Sequence, residues 1–280
     1  MTINNFSPTA WAGSVLKNLN DAHVYATCCN RDYEGDIKSF GDTVKINSLG
    51  RVTVSDYTKN STISAPETLI GAGQTLTIDT AKYFNFEIDD IDNWQSKPKL
   101  MGAATAEAAW SMSDAVDAYL AALINAAVPT ANTLTAATSV GTGATDDDMY
   151  EILVDLDVIL TTNNVPRNGN RWVVVAPGHE GVLRKDPRFV SFGTSDNKST
   201  LRSTPIATAS GFKIYVSNNV PSGTDVLAGY SGAVTFAEQI DKIEAFRPQD
   251  SFSDALKGLH IFGGRVTRPS GLAKVVATLA

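Results

Sequence analysis

The stretch AKYFNFEIDDIDNWQSKPKLMGAATAEAAW, residues 81–110, changes character halfway along its length. Over residues 84–89 apolar and polar residues alternate at every step, and this period of two predicts a strand with one covered face. The alanine-rich stretch that follows predicts a helix over about 97–127, with Ser96 as its cap and Pro98 in its first turn. At 1.5 Å per residue this helix is roughly 45 Å long. Such a helix is either the central helix of a globular enzyme or the spine of a scaffold, and the helix alone does not distinguish them.

The residues before this strand, 41–92, predict a long hairpin. The polar stretch 56–74 in its middle contains Pro66, Gly71 and Gly73 and predicts the tip. A ribbon of two strands is marginal in water by itself, and this one has few apolar residues to bury. We therefore expect a surface outside the hairpin to cover it. The apolar residues that alternate with polar ones are Val44, Ile46, Val52, Val54, Leu76 and Ile78.

The rest of the chain predicts helices and strands in irregular alternation. Apolar residues at helical spacing predict a helix over 146–162, with Thr145 as its cap. A mixture of this kind indicates a mixed α/β or α+β chain and not a repeat or a doubly wound sheet. The other predicted elements are strands within 171–178, 212–221, 225–230 and 256–280 and a short helix near 179–185.

The composition is that of a folded, soluble chain, since 43% of the 280 residues are hydrophobic and 19% are charged. The longest apolar run, 119–128, is about half the length of a membrane span, and the N-terminal residues lack a signal-peptide pattern. Cys28 and Cys29 are adjacent, which excludes a disulfide framework and indicates a reducing compartment. The net charge of −7 argues against tight nucleic-acid binding, because phosphate contacts need clustered Lys and Arg.

Each candidate chemical motif lacks a residue that its chemistry needs. The sequence GTG at 141–143 precedes a helix but lacks the Lys of a phosphate-binding loop. The acidic residues at 89–92 lack the glycine and the later glutamate of a calcium loop. The three histidines, at 23, 179 and 260, lack the spacing that places two metal ligands on one helical face. The sequence therefore predicts no catalytic residues, no cofactor and no metal, and it favours a structural or assembly role.

Four features in this order along the chain resemble the major capsid proteins of tailed bacteriophages, which share the Hong Kong 97-type fold. They are GDTVKI at 41–46, FNFEIDDID at 84–92, the long helix, and GLHIFGGRVTRPSGLAKV at 258–275. The resemblance implies an α+β Hong Kong 97-like capsid fold in five parts. These are an N-terminal arm (1–40), an extension loop (41–92), a peripheral domain with the spine helix (93–128), an axial domain (129–240) and strands that return to the peripheral domain (241–280).

The resemblance also implies a function. The protein would assemble as hexamers and pentamers into the icosahedral shell that encloses a double-stranded DNA genome, without sequence-specific DNA binding and without a membrane. Assembly would take place in the host bacterial cytoplasm, and a portal would be a partner. Because only about 40 residues precede the hairpin, we expect a separate scaffolding protein and not a fused scaffolding segment.

In this family the extension loop lies across a neighbouring subunit, which would supply the surface that the hairpin lacks. The resemblance therefore implies an intersubunit contact near the loop tip, formed by Tyr57, Lys59, Asn60, Pro66 and Glu67. Two other classes of protein stay open. One is the shell of an encapsulin-like cellular nanocompartment, which would enclose a cargo enzyme. The other is a soluble metal-dependent hydrolase that uses the acidic residues at 89–92.

Overall fold

The computed structural model of the protein contains both helices and sheets, which confirms the α+β class. Ser96, Pro98 and Thr145, which the sequence assigns to helix starts, lie outside the described residues. The division of the chain at residues 40, 92, 128 and 240 stays a prediction. The structure describes residues 23–33, 41–49, 52–62, 65–68, 71–90, 100–135, 140–141, 148–185, 208–221 and 225–277.

Most of the long described elements follow the sequence prediction, whereas strand β9 and the short elements α1, β4 and β6 are not predicted by the sequence. The helices are α1 (Tyr25–Cys28), α2 (Leu100–Ala127), α3 (Met149–Thr162) and α4 (Pro177–Lys185). The strands are β1 (Thr43–Leu49), β2 (Gly71–Thr77), β3 (Thr80–Asp89), β4 (Thr133–Thr135), β5 (Arg171–Val175), β6 (Thr208–Ala209), β7 (Phe212–Val216), β8 (Asp225–Tyr230), β9 (Val234–Phe246), β10 (Ser253–Val266) and β11 (Leu272–Val276).

A three-stranded antiparallel sheet joins the strand of the stretch 81–110 to two strands from near the C-terminus. β10 lies in its middle, between β3 and β9. A register shift in the pairing of β9 with β10, opposite Leu259 and His260, breaks the alternation of β9. Phe236 and Glu238 therefore share a face before the shift, whereas odd-numbered residues occupy that face after it. For this reason the alternation of apolar and polar residues is interrupted within β9, and the sequence pattern does not reveal this strand.

The long helix α2, called the spine helix below, buries one stripe along its length. The buried side chains recur every three or four residues, as expected of a helix with one covered side. The C-terminal half of the stripe lies in a central core with Phe236 and Phe262 of the three-stranded sheet and Trp172 of a second sheet. The helix ends two residues before Pro129, as predicted. The stripe consists of Ala109, Met112, Val116, Leu120 and Ile124.

The second sheet has six strands in the order β4-β11-β8-β5-β7-β6. β5 is buried at all five positions, because one face covers the central core and the other packs against α3. Helix α3 begins at Met149, with Asp148 at its N-cap position, three residues later than predicted. Arg171 is fully buried at the start of β5 and is paired with Asp157 of α3, so this buried cation has its counter-charge.

The base of the hairpin packs on its own chain. β1 and β2 pair over their full length, and Ile46, Leu76 and Ile78 pack against Ala237 and Ile261 of the three-stranded sheet. The expectation that the whole hairpin needs a surface outside its own chain is therefore wrong for this part. The sequence could not show the packing because the covering residues come from strands about 160 to 215 positions later in the chain.

Two adjacent glycines of β10 allow the hairpin and the spine helix to approach the same strand from opposite sides. A Cβ on Gly263 would overlap the carbonyl oxygen of Thr77 and lie 3.0 Å from the Cα of Ile78. A Cβ on Gly264 would lie 2.9 Å from a methyl carbon of Leu123 in the spine helix. Real Cβ atoms are not found this close to backbone atoms, so only glycine permits the crossing at Gly263.

We predict that Gly263→Ala destabilises the subunit, because the added methyl group meets the backbone of β2 and cannot be accommodated by a side-chain rotation. The expected loss is about 1–3 kcal/mol in the free energy of unfolding, measured by urea denaturation. Gly102→Ala is the matched control. Gly102 is an exposed position of the spine helix, and among the described residues no atom outside its own helical turn lies within 4 Å of a Cβ there, so the same substitution should stabilise by about 0.5–1 kcal/mol. Equal effects of the two changes would contradict the close crossing.

Candidate assembly interface

The predicted contact residues lie in the distal loop, which we define as residues 52–62 and 65–68. Every described residue of this loop is exposed, and none belongs to a helix or a strand. Val52 and Val54, which the sequence predicts to be in a strand, are 59% and 93% exposed. Tyr57 is 71% exposed. Apolar side chains in an extended, solvent-exposed segment have no covering layer within the described part of this subunit.

The tip of the distal loop is a tight turn. Ser61 donates its backbone N–H to the carbonyl of Thr58 at 3.1 Å, and its hydroxyl donates to the same oxygen at 2.7 Å. Asn60 has φ of 66° in this turn, a left-handed conformation that Asn tolerates better than other non-glycine residues. The turn places Lys59 and Asn60 at the far end of the loop, close in the chain to Tyr57.

A side-chain tie joins the two limbs of the distal loop. The carboxylate of Glu67 accepts hydrogen bonds from the backbone N–H of Thr53 at 3.0 Å and from its hydroxyl at 3.3 Å. Glu67 and its neighbour Pro66 therefore lie on the limb opposite Val52 and Val54. The structure brings all five predicted contact residues into one loop, and Glu67 also has a role within the subunit that the sequence did not indicate.

A buried cluster of charged residues lies in the core, and the sequence did not predict it. Glu238 of β9 has one carboxylate oxygen 3.3 Å from Nε2 of His23 and 3.3 Å from Nε2 of His260. Its other carboxylate oxygen pairs with Arg31. The two histidines are 237 positions apart in sequence, so a search for local metal or catalytic spacing could not find them. The position of His260 between two apolar residues of a predicted strand was the only local signal.

Asp117 of the spine helix is the second buried carboxylate of this region. It accepts backbone hydrogen bonds from Val24 at 2.9 Å and from Tyr25 at 3.0 Å, one to each oxygen. These are free N–H groups at the start of α1, so Asp117 caps this short helix from another element. Burial raises the pKa of Asp117, while the hydrogen bonds from Val24 and Tyr25 and the nearby His23 oppose the rise.

Burial alone would also raise the pKa of Glu238, but its neighbours reverse the direction. The imidazoles of His23 and His260, each 3.3 Å away, and the positive charge of Arg31 favour the carboxylate, so the pKa of Glu238 lies below its usual range. Cys28 and Cys29 are free, as predicted, and both are buried. Burial raises the pKa of both thiols, so they stay protonated and unreactive in the folded chain.

The acidic residues at 89–92 do not form a described metal site. Asp90 pairs with Arg247, which also lies 3.4 Å from Asp254. Asp92 lies outside the described residues. Within the ranges that the structure describes, no three side chains of His, Cys, Asp or Glu are placed to hold a metal ion. Across the same ranges, no helix has the length and apolar character needed to cross a membrane.

The comparisons with known proteins give one consistent result. The sequence profile of the phage capsid protein family matches residues 73–275. A solved structure from Mycobacterium phage Che8 is 31% identical, with a TM-score of 0.68 and coverage of 90% of each chain. The capsid structure of cyanophage P-SCSP1u is 17% identical, with a TM-score of 0.70 and coverage of 92% of this chain and 89% of that one. A sequence comparison with curated proteins finds no match.

A virus-like particle from Pyrococcus furiosus is also similar, at 11% identity and a TM-score of 0.56, with coverage of 94% of this chain and 96% of that one. This likeness concerns the fold alone. The mixed sheets, the spine helix and the extended loop thus define a shell protein of the Hong Kong 97-like fold. The chain belongs to the phage capsid protein family. It is a major capsid protein, a structural component that forms the bacteriophage shell.

We predict that Asp117→Ala destabilises the subunit strongly, because it leaves the buried N–H groups of Val24 and Tyr25 without an acceptor. The expected loss is about 1–3 kcal/mol for each unpaired N–H, measured as a drop in the free energy of unfolding. Asp114→Ala, on the exposed side of the same helix, is the control and should cost less than about 1 kcal/mol. If both variants unfold at the same urea concentration, Asp117 does not act as the cap.

Proposed function

We propose that the protein assembles as hexamers and pentamers into a closed icosahedral shell around double-stranded DNA, without catalysis, cofactor or metal. Its partners are a separate scaffolding protein and a portal, and assembly takes place in the host bacterial cytoplasm. DNA is enclosed without sequence-specific binding, and no membrane takes part. The net charge of −7 supports this role, because a shell lined with clustered cations would bind the genome too tightly to release it.

The observation that carries the proposal is the exposed distal loop. Its apolar residues Val52, Val54 and Tyr57 lie in water in the subunit, and hydrophobic groups of this size favour a covering surface. We place that surface on a neighbouring copy of the chain, with Tyr57, Lys59, Asn60, Pro66 and Glu67 as contact residues. Each contact can be weak, because repetition around a closed shell adds them together.

The parts of the chain then take separate roles in the shell. The arm (1–40) precedes the extension loop (41–92), and the peripheral domain (93–128) contains the spine helix as a rod along the shell wall. The axial domain (129–240) surrounds the centre of each hexamer or pentamer, and residues 241–280 return to the peripheral domain. The packing of the hairpin base on the three-stranded sheet supports a separate role for the distal loop, because the base is covered by its own chain while the distal loop is exposed.

We predict that replacing residues 53–67 with a short glycine-serine turn gives a folded subunit that assembles poorly. The hairpin base keeps its packing on the three-stranded sheet, so the free energy of unfolding should change by less than about 1 kcal/mol. Shell yield, measured by sedimentation and electron microscopy, should fall at least about tenfold. In the unaltered protein, amides of 52–62 should exchange rapidly in free subunits and slowly in shells. Equal exchange in both states would contradict an intersubunit contact.

A pair of variants at one position provides the control. Asn60→Gly keeps the left-handed turn at no steric cost, whereas Asn60→Val cannot adopt φ of 66° without strain. Assembly should survive the first change and fall with the second, while subunit stability stays close to that of the unaltered protein in both. Micrographs of the particles also test the contents: DNA inside supports a phage shell, and protein cargo inside would instead support a nanocompartment.

A further inference from the structure

The segment before the hairpin, residues 23–33, forms a strap across the central core. Tyr25, Ala26, Cys28 and Cys29 of the strap are buried in this core. The spine helix holds the strap through Asp117. On the other side, Asn30 donates its N–H to Val234 at 2.8 Å and accepts the N–H of Phe236 at 3.0 Å, so the strap is bound to β9 by backbone as well as side chain.

The Glu238 carboxylate is the charged centre between the strap and the sheet. Two of the groups that face it, His23 and Arg31, come from the strap, and His260 comes from β10. From the spine helix, Asp117 lies 3.9 Å from Nδ1 of His23. All these carboxylate and imidazole groups are buried, and the side chain of Arg31 is one-third exposed. Loss of the Glu238 charge therefore removes the ion pair between β9 and Arg31 at the edge of the strap.

The two histidines differ in the polar contacts of their second ring nitrogen, Nδ1. Nδ1 of His23 lies 3.0 Å from the hydroxyl of Ser113, so both ring nitrogens of His23 have a polar neighbour. Nδ1 of His260 is buried and has no hydrogen-bond partner in the part of the chain that the structure describes. His260 therefore brings a buried polar atom without a partner next to Glu238, which costs free energy.

The strap gains less from its burial than its apolar residues suggest. The hydroxyl of Tyr25 is buried without a hydrogen-bond partner among the described residues. The carboxylates of Asp117 and Glu238 are buried with it. Burying charged groups costs about as much free energy as their pairing returns, so such pairs add little net stability. Removing one partner from a buried pair is nevertheless strongly unfavourable. The closed strap therefore depends on the balance of its charges, and local opening at such a unit needs less free energy than global unfolding.

We propose that residues 23–33 are a proton-sensitive strap, which the ionised Glu238 holds against the core and which opens when this carboxylate is discharged, while both sheets stay folded. The strap precedes the hairpin in the chain, and its opening releases residues 23–33 from the core. The proposal concerns the single subunit and does not depend on shell assembly.

The direction of the pH effect follows from the individual groups. The pKa of Glu238 is lowered in the closed state, so its contribution is complete above the ordinary value of 4.5 and is lost as the pH falls below it. Asp117 acts in the opposite direction, because its pKa is raised by burial and protonation there favours the closed state as the pH falls toward its pKa. We therefore expect the strap to hold or tighten slightly in mild acid and to open below about pH 4.5.

The two cysteines of the chain report the opening, because both are in the strap and both are buried. Full-length unassembled subunits are treated with 4,4′-dithiodipyridine from pH 7 to about pH 3.5. Dividing the labelling rate of the urea-unfolded chain at each pH by that of the folded chain gives a protection factor. We expect this factor to fall about tenfold or more below pH 4.5 while the far-UV circular dichroism is unchanged. Thiols that react only when the circular dichroism signal is lost would overturn the proposal.

A matched pair of variants tests the role of the charge. Glu238→Gln removes it with little change of shape, and at pH 7 it should lower thiol protection about tenfold or more and abolish the further loss in acid. Glu244→Gln, on the same strand but exposed and paired with Lys257, should protect the thiols as the unaltered chain does. Equal protection in the Glu238→Gln variant would overturn the proposal. Should that variant fail to fold, the pH series on the unaltered protein decides the question without it.

Discussion

The close approach of the hairpin to strand β10 at Gly263 is the constraint on which the rest of the structure depends. One face of β10 meets the backbone of β2 there, and at the next residue the other face meets the spine helix. The hairpin and the spine helix therefore pack on opposite faces of one strand, β10, which comes much later in the chain. The crossing fixes the hairpin base on the sheet, so the distal loop extends away from its own core. A major capsid protein needs this arrangement, because a loop held at its base can reach another subunit in a defined direction.

The charged residues of the core come from different elements that pack against one another. The spine helix and β9 each contribute one buried carboxylate, Asp117 and Glu238. The strap between them contributes the backbone N–H groups that Asp117 accepts and the side chains of His23 and Arg31 that face Glu238. Arg171 and Asp157 form a separate pair between β5 and α3. In both places a charge from one element is paired with a charge or N–H group from another, so the ion pairs join layers that apolar packing already brings together. Buried charges without such partners would be too costly to keep.

The candidate interface combines rigid and exposed parts. The tie between Thr53 and Glu67 and the turn at Asn60 shape the distal loop locally, without support from the core. The apolar residues of the loop contribute nothing to the stability of the single subunit, since they lie in solvent. In the assembly that we propose, a neighbouring copy of the chain buries them, so the same residues that are exposed in the monomer favour the shell.

The sequence by itself determined the elements whose signals are local: the alternation of β3, the alanine-rich spine helix, four strands of the six-stranded sheet (β5, β7, β8 and β11), and a polar loop tip that contains Tyr57, Lys59 and Asn60. Periodicity and turn residues act over a few positions, so one chain segment is enough to show them. Only the tertiary structure decided the packing of the hairpin base on Ile261, the pairing of β9 across its register shift, and the meeting of His23, Glu238 and His260. These contacts join residues about 20 to 240 positions apart, and their partners are chosen by how the layers pack, a property of the whole chain that no local pattern records.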